Sequence, residues 1–304
     1  MFPLGQYHRR LPARLPRPLA PLPNETVDSY MRRLGAANQI QADTLHAYLN
    51  GTGRRSYVSA ASLAAAVGKP VHQLRHALPE LGYDSTAEAI AALTTTHTRR
   101  AVCHRCAAQR GVFTIATVWQ HQHTNVCLNH QIWLGATDRS YTQFELTDAP
   151  EIITAQRRHY RLARRHGHRL TLEAFTYAAR VTGRWARRGD YRHRRQPLIP
   201  ALGQTIPISG KLQHGDLILT AVTYPETVDL ARVLAMPQWR TPGGTDLRRL
   251  GHDIRLHTGI EYHPFESGHD PLIRWFQRPA PQTQLQQSAS DRQDKIPRRS
   301  VPPT

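Results

Sequence analysis

Apolar side chains at Val27, Tyr30, Met31, Leu34 and Ala37 recur every three to four residues, the period of a helix with one buried face. Asn24 stands before them as a capping residue. A second helix is predicted over residues 42–49, stopped by the loop signal Asn50-Gly51-Thr52-Gly53. Next, Ser59 can cap a short helix carrying Leu63, Ala64 and Val67, Gly68 turns the chain, and Pro70 opens a helix with Val71, Leu74 and Leu78. This is helix-turn-helix spacing, and its outward positions His72, Gln73, Arg75 and His76 are those that could meet a groove. Any small helical hairpin with a glycine turn shows the same pattern, so a purely structural reading stands beside it.

Further along, Val112, Phe113, Ile115, Val118 and Trp119 are β-prone and suit a small hairpin, which alone buries too little to be stable. A helix over 151–166 would place Arg157, Arg158, Arg161, Arg164 and Arg165 toward solvent, with Ile152, Ile153, Gln156, Tyr160 and Ala163 on the other face. Another over 171–188 carries Leu172, Phe175, Ala179 and Trp185 and ends in Arg184, Arg187 and Arg188; with Arg192, Arg194 and Arg195 these basic residues of both helices form the best candidate for binding a nucleic-acid backbone. Helices over 226–234 and 246–257 complete the pattern, with Trp239, Trp275 and Phe276 expected as core or interface anchors.

The fold class is therefore mainly α. A basic, proline-rich and flexible lead (1–22) precedes a helical domain with the helix-turn-helix-like segment (23–98). A small β-hairpin finger (99–146), a basic helical segment (147–200), a C-terminal helical domain (201–278) and a disordered tail (279–304) follow. No stretch is long and apolar enough for a signal peptide or a membrane span, and a cytoplasmic location is expected.

Charge sharpens this. Of 304 residues, 40 are Lys or Arg against 22 Asp or Glu, a formal net charge of +18. Such an excess points to a polyanionic partner, nucleic acid ahead of a membrane surface, although arginine-rich coding bias would give a similar balance.

The most specific chemistry is compact. All three cysteines fall in Cys103-His104-Arg105-Cys106 and, after 20 intervening residues, Cys127-Leu128-Asn129-His130. An odd number of thiols argues against a disulfide framework, and paired two-residue gaps suit one tetrahedral Zn²⁺. His130 mirrors the first pair as fourth ligand; His104, His121 and His123 are also within the segment. Four protein ligands leave no position for water or substrate, so the ion is expected to be structural.

The run Pro23-Asn24-Glu25-Thr26-Val27-Asp28-Ser29-Tyr30-Met31-Arg32-Arg33-Leu34 resembles the opening motif of TniQ-family proteins: proline, glutamate, serine, leucine, then a serine, an aromatic, an arginine and a leucine. The order Cys103, Cys106, Trp119, Cys127, His130 is similar to the zinc segment of that family. The resemblance runs from about Leu15 to Leu146. It implies an accessory protein of Tn7-like or related transposons that helps select the insertion site and recruits an AAA+ regulator, in some systems alongside an RNA-guided complex. Its implied partners are DNA or RNA and a transposition protein, with self-association into a homodimer compatible. Many members continue with another cysteine pair; here Gln131-Ile132-Trp133-Leu134-Gly135 leads into sequence without cysteine, so a second metal site is absent.

The alternative is a transcription regulator that reads bases through Gln73 and Arg75. Catalysis is disfavoured by the full ligand set. Only His252, Asp253, His257, Glu261, His263, Glu266, His269 and Asp270 form an acid-and-histidine group.

Overall fold

The computed structural model describes residues 12–50, 58–135, 143–202, 217–239, 246–262 and 272. The loop signal at Gly51-Thr52-Gly53, the residues from His263 to Asp270, Trp275, Phe276 and the tail lie outside the described residues.

Helix α1 (Val27–Ala37) starts two residues later than Asn24 suggests, because the hydroxyl of Thr26 takes the capping bond from the Ser29 N–H. Asn24 instead has φ +58 and turns the chain into the helix. Then come α2 (Ala42–Asn50), α3 (Ala60–Val67) capped by Ser59, and α4 (Val71–Ala77). Between the last two, Gly68 is left-handed at φ +64, and a Cβ there would sit 2.9 Å from the Arg14 Nε. A 3₁₀ turn (Pro79–Gly82) and α5 (Thr86–Leu93), capped by Ser85, complete the layer. Tyr30, Met31, Leu34, Leu45, Leu63, Leu74 and Leu78 fill its core. Leu15 belongs to that core too, and its N–H bonds the Ala66 carbonyl at 2.7 Å. The lead, expected to be flexible to residue 22, is thus seated on the helices in its second half.

Strand β1 (His97–Ala101) pairs antiparallel with β2 (Thr117–His121), Arg99 opposite Trp119. The short α6 (His104–Ala108) lies between them. Sequence placed both arms of the hairpin between the cysteine pairs; the first arm actually precedes Cys103. Phe113 and Ile115 are 85% and 63% exposed in the connecting loop, because α6 uses up the chain and only Val112 and Ala116 turn inward against Leu22 and Ala107. A second sheet has β4 (Ile132–Trp133) between β3 (Val126–Cys127) and β5 (Phe144–Glu145).

Helices α7 (Pro150–His166) and α8 (His168–Arg188) meet at Gly167, whose φ of +82 permits the abrupt joint. After α9 (Arg192–Arg195) and α10 (Leu198–Ala201), α11 (Leu217–Leu234) runs against α7, α8 and α12 (Leu247–Thr258). Sequence started α11 at Glu226, since Pro225 reads as a helix opener. The helix instead passes through Pro225, as an apolar stretch buried against three neighbours tolerates one lost backbone bond. Val126, Trp133 and Phe144 from the small sheet share one core with Ile152, Ile199, Val222, Tyr224 and Val228. Packing therefore crosses the boundaries drawn at 146 and 200. No helix among the described residues is long and apolar enough to cross a membrane.

Candidate metal centre and nucleic-acid interface

Cys103 sits at the mouth of α6 and Cys106 one turn later, while Cys127 ends β3 and His130 occupies the turn into β4, where Gln131 adopts φ +53. Two tight bends thus aim four donors inward. Their ligand atoms lie within 4.8 Å of one another. The Cys106 and Cys127 sulfurs are 3.7 Å apart, and His130 Nδ1 is 3.2 to 3.6 Å from the three sulfurs. Donors about 2.3 Å from a central ion in a tetrahedron stand about 3.8 Å apart, so the cage has the size for one Zn²⁺. Of the rival histidines, His104 is bonded to Gln143, His121 is stacked on His97 and His123 is bonded to His159, which leaves His130. The amide nitrogen of Gln109 stands 3.2 Å from His130 Nε2; with Nδ1 on a metal, Nε2 carries the ring's proton, and the Gln109 amide has to turn its oxygen inward to accept it.

Without a cation the thiols compete. A hydrogen bond to Cys127 pushes Cys103 up and burial pushes Cys106 up, while the bond from Cys103 pulls Cys127 down to about 4. A dication among these half-buried donors favours deprotonating all three thiols.

The opening motif explains itself in the same way. Glu25 is fully buried and accepts two bonds from Arg33 (Nε at 2.8 Å, Nη2 at 2.7 Å), one from the Ser29 hydroxyl and one from the Leu22 N–H. Ser29 in turn accepts from the Thr117 N–H at 2.9 Å. Backbone bonds Thr26 N–H to Thr117 and Trp119 N–H to Asn24 continue the seam, and Glu80 accepts from both the Trp119 indole (2.6 Å) and the Val27 N–H. The motif is a bolt between the first helical layer and β2.

The basic residues divide. Arg157, Arg161, Arg164 and Arg165 are exposed on α7, with no ion pair among the described residues. Arg158 turns to Asp229 at 2.7 Å. On α8, Arg184 is half-buried and Arg187 and Arg188 are exposed, each with interactions of its own. Arg195, counted from sequence with the binding surface, is buried on Glu226 at 2.7 Å, and Arg194 bonds the Thr258 carbonyl. His72, Gln73, Arg75 and His76 are all exposed on α4. Of the acid-and-histidine group, Asp253 accepts from the Trp239 indole, a packing role, and Glu261 pairs with Arg255 on the exposed surface.

The TniQ family model matches residues 16–134, from the seated lead to the end of β4. That region is a TniQ domain. The match covers less than half of the chain and stops before the basic helices begin. No curated protein and no solved structure matches the chain.

At the far edge of the TniQ domain lies a polar network that sequence did not single out. Buried Arg100 donates to Asn125 Oδ1 (2.8 Å), the Gly135 carbonyl (2.7 Å) and the Gln122 carbonyl, with no carboxylate among the described residues to neutralise it. Burial lowers its pKa to about 10, which still leaves it charged at neutral pH. Gln156 of α7 accepts the N–H groups of Asn125 and Val126 and donates to the His123 carbonyl. His123 meets His159, and His159 meets Tyr224 of α11. Gln156 was placed on the inner face of α7 from its period, but nothing in sequence distinguishes Arg100 from Arg99.

Proposed function

We propose that the protein is a non-enzymatic, zinc-containing adaptor that binds nucleic acid and recruits an AAA+ transposition regulator for target-site selection in a Tn7-like or related element. One observation carries this reading: a TniQ domain whose Cys103, Cys106, Cys127 and His130 can hold one metal ion shares its core with a helix carrying uncompensated arginines. The exposed face of α7 with Arg157, Arg161, Arg164 and Arg165, extended by Arg184, Arg187 and Arg188, is the polyanion surface. Zinc holds the finger, and the finger fixes α7 relative to the first helical layer.

The test is reconstitution on DNA with the AAA+ ATPase encoded beside the gene. A ternary complex is expected; failure to bind both DNA and the ATPase would remove the idea. The surface makes a sharper statement. Replacing Arg157, Arg161 and Arg164 together by alanine should flatten the plot of log affinity against log salt by about 0.9 per lost phosphate contact, hence by about 2 to 3. An unchanged slope in fluorescence anisotropy would place the contacts elsewhere.

The exposure of all four outward residues of α4 keeps a second reading in play, base readout by an HTH-type regulator. There Gln73 or Arg75 substitutions would relax base preference by about 1 to 3 kcal/mol, a signature the adaptor reading does not require.

A further inference from the structure

Between the TniQ domain and the basic helices is a cleft of about 760 Å³, the size of a small-ligand site. One wall is His121 and His123 from the end of β2 and the turn after it; the other is Arg157, Tyr160, Arg161 and Arg164 of α7, with His168 opening α8. The lining is predominantly apolar in area, with arginines and imidazole rings set into it.

The hydrogen bonds fix what this wall offers. Gln156 Oε1 accepts two backbone N–H groups while its Nε2 donates to a carbonyl, so the amide has one orientation. Tyr224 therefore donates its single proton to Oε1, at 3.0 Å, and can only accept from His159 Nδ1, at 2.9 Å. Burial pushes His159 down to about 3 and His123 down to about 4, so both rings are neutral at pH 7. His159 Nε2 is then a lone pair and takes the proton on His123 Nδ1, 3.1 Å away. It follows that Nε2 of His123, a residue only 4% exposed, is a bare acceptor, and it has no hydrogen-bond partner. Unpartnered buried acceptors are uncommon. This one has no accessible surface, and the His168 ring, bonded to the Thr95 carbonyl, stands edge-on to His123 at 4.5 Å, so a donor from the cleft reaches it only after the neighbouring rings shift.

What fits must be anionic for the arginines, flat for the rings and furnished with an N–H or O–H donor for His123. Resting on the nucleic-acid reading above, we propose that the cleft receives one unpaired nucleotide of the bound strand. Its phosphate lies on Arg157, Arg161 and Arg164, its base moves the His168 ring off the edge of His123 and packs between it and Tyr160, and an amino or hydroxyl proton is then donated to His123 Nε2. The buried cation of Arg100, met only by neutral acceptors, adds a fixed positive field behind the same wall. A duplex passing over α7 without an unpaired residue would use the arginines and leave the cleft empty.

The full-length protein can be titrated with three duplexes of one sequence: fully paired, with one bulged adenine, and with an abasic bulge at that position, each as DNA and as RNA. The bulged adenine should bind on the order of tenfold more tightly than the abasic bulge in at least one of the two series, the yield of one base stacked in a protein site. His168→Ala should erase most of that advantage while binding of the paired duplex is kept, and Arg161→Ala should weaken all three. If all three duplexes bind equally in both series yet weaken with salt, the cleft is not a nucleotide site and the polyanion surface survives. If none binds at any salt, the nucleic-acid reading falls and takes this inference with it.

Discussion

Cys106→Ser is expected to leave the finger unfolded at 25 °C. Structural zinc contributes about 10–16 kcal/mol to small finger peptides, as much as the whole net stability of a typical domain, about 5–15 kcal/mol. The local fold has little else. Its sheet consists of two-residue strands, and its own apolar cluster is Ile132 and Leu134 around the cysteines. The loss should spread, because Trp133 and Val126 leave the same finger to seat among α7 and α11 residues. Hydrogen exchange should therefore lose protection at the Leu134 amide, which bonds the Asn125 carbonyl, and secondarily along the first turns of α7. Protection retained at Leu134 in the variant would mean that packing, and not the metal, holds these strands.

Glu25→Ala should cost about 3–5 kcal/mol, the penalty for stranding one partner of a buried ion pair. Arg33 keeps only 8% of its side chain exposed, so its guanidinium would lose a bidentate carboxylate without gaining water. The Ser29 hydroxyl and the Leu22 N–H lose acceptors as well. For a chain of this size each kcal/mol lowers Tm by about 2–4 °C. Adding Arg33→Leu to Glu25→Ala should recover part of the loss, since removing both charges is far less costly than removing one. Strictly additive losses in the double variant would show that the pair is not coupled as drawn.

Those two sites differ in how readable they were. The three cysteines and His130, which the structure brings together, were legible as a set, because ligand chemistry and chain geometry restrict Cys-x₂-Cys and Cys-x₂-His to few arrangements; choosing His130 over the rival histidines needed the structure. Long amphipathic helices such as α1, α7 and α8 were legible from their period. The hairpin's first arm was not: His97, Thr98, Arg99, Arg100 and Ala101 look polar because one face of β1 is solvent-exposed while Arg100 is buried through neutral hydrogen bonds. Pro225 hid the first half of α11, as a local breaker was outweighed by burial. The opening motif was recognised as a pattern, yet its reason, a carboxylate joining α1 to a strand about ninety residues away, depends on long-range contacts that no local window contains.

The most direct measurement is native mass spectrometry of the purified chain, followed by a chelator titration monitored by hydrogen exchange. One Zn²⁺ per chain is expected, its removal coinciding with loss of protection from Cys103 to Leu134. A metal-free chain that is folded and indifferent to chelator would contradict the metal-held finger, and with it the rigid placement of α7 on the TniQ domain.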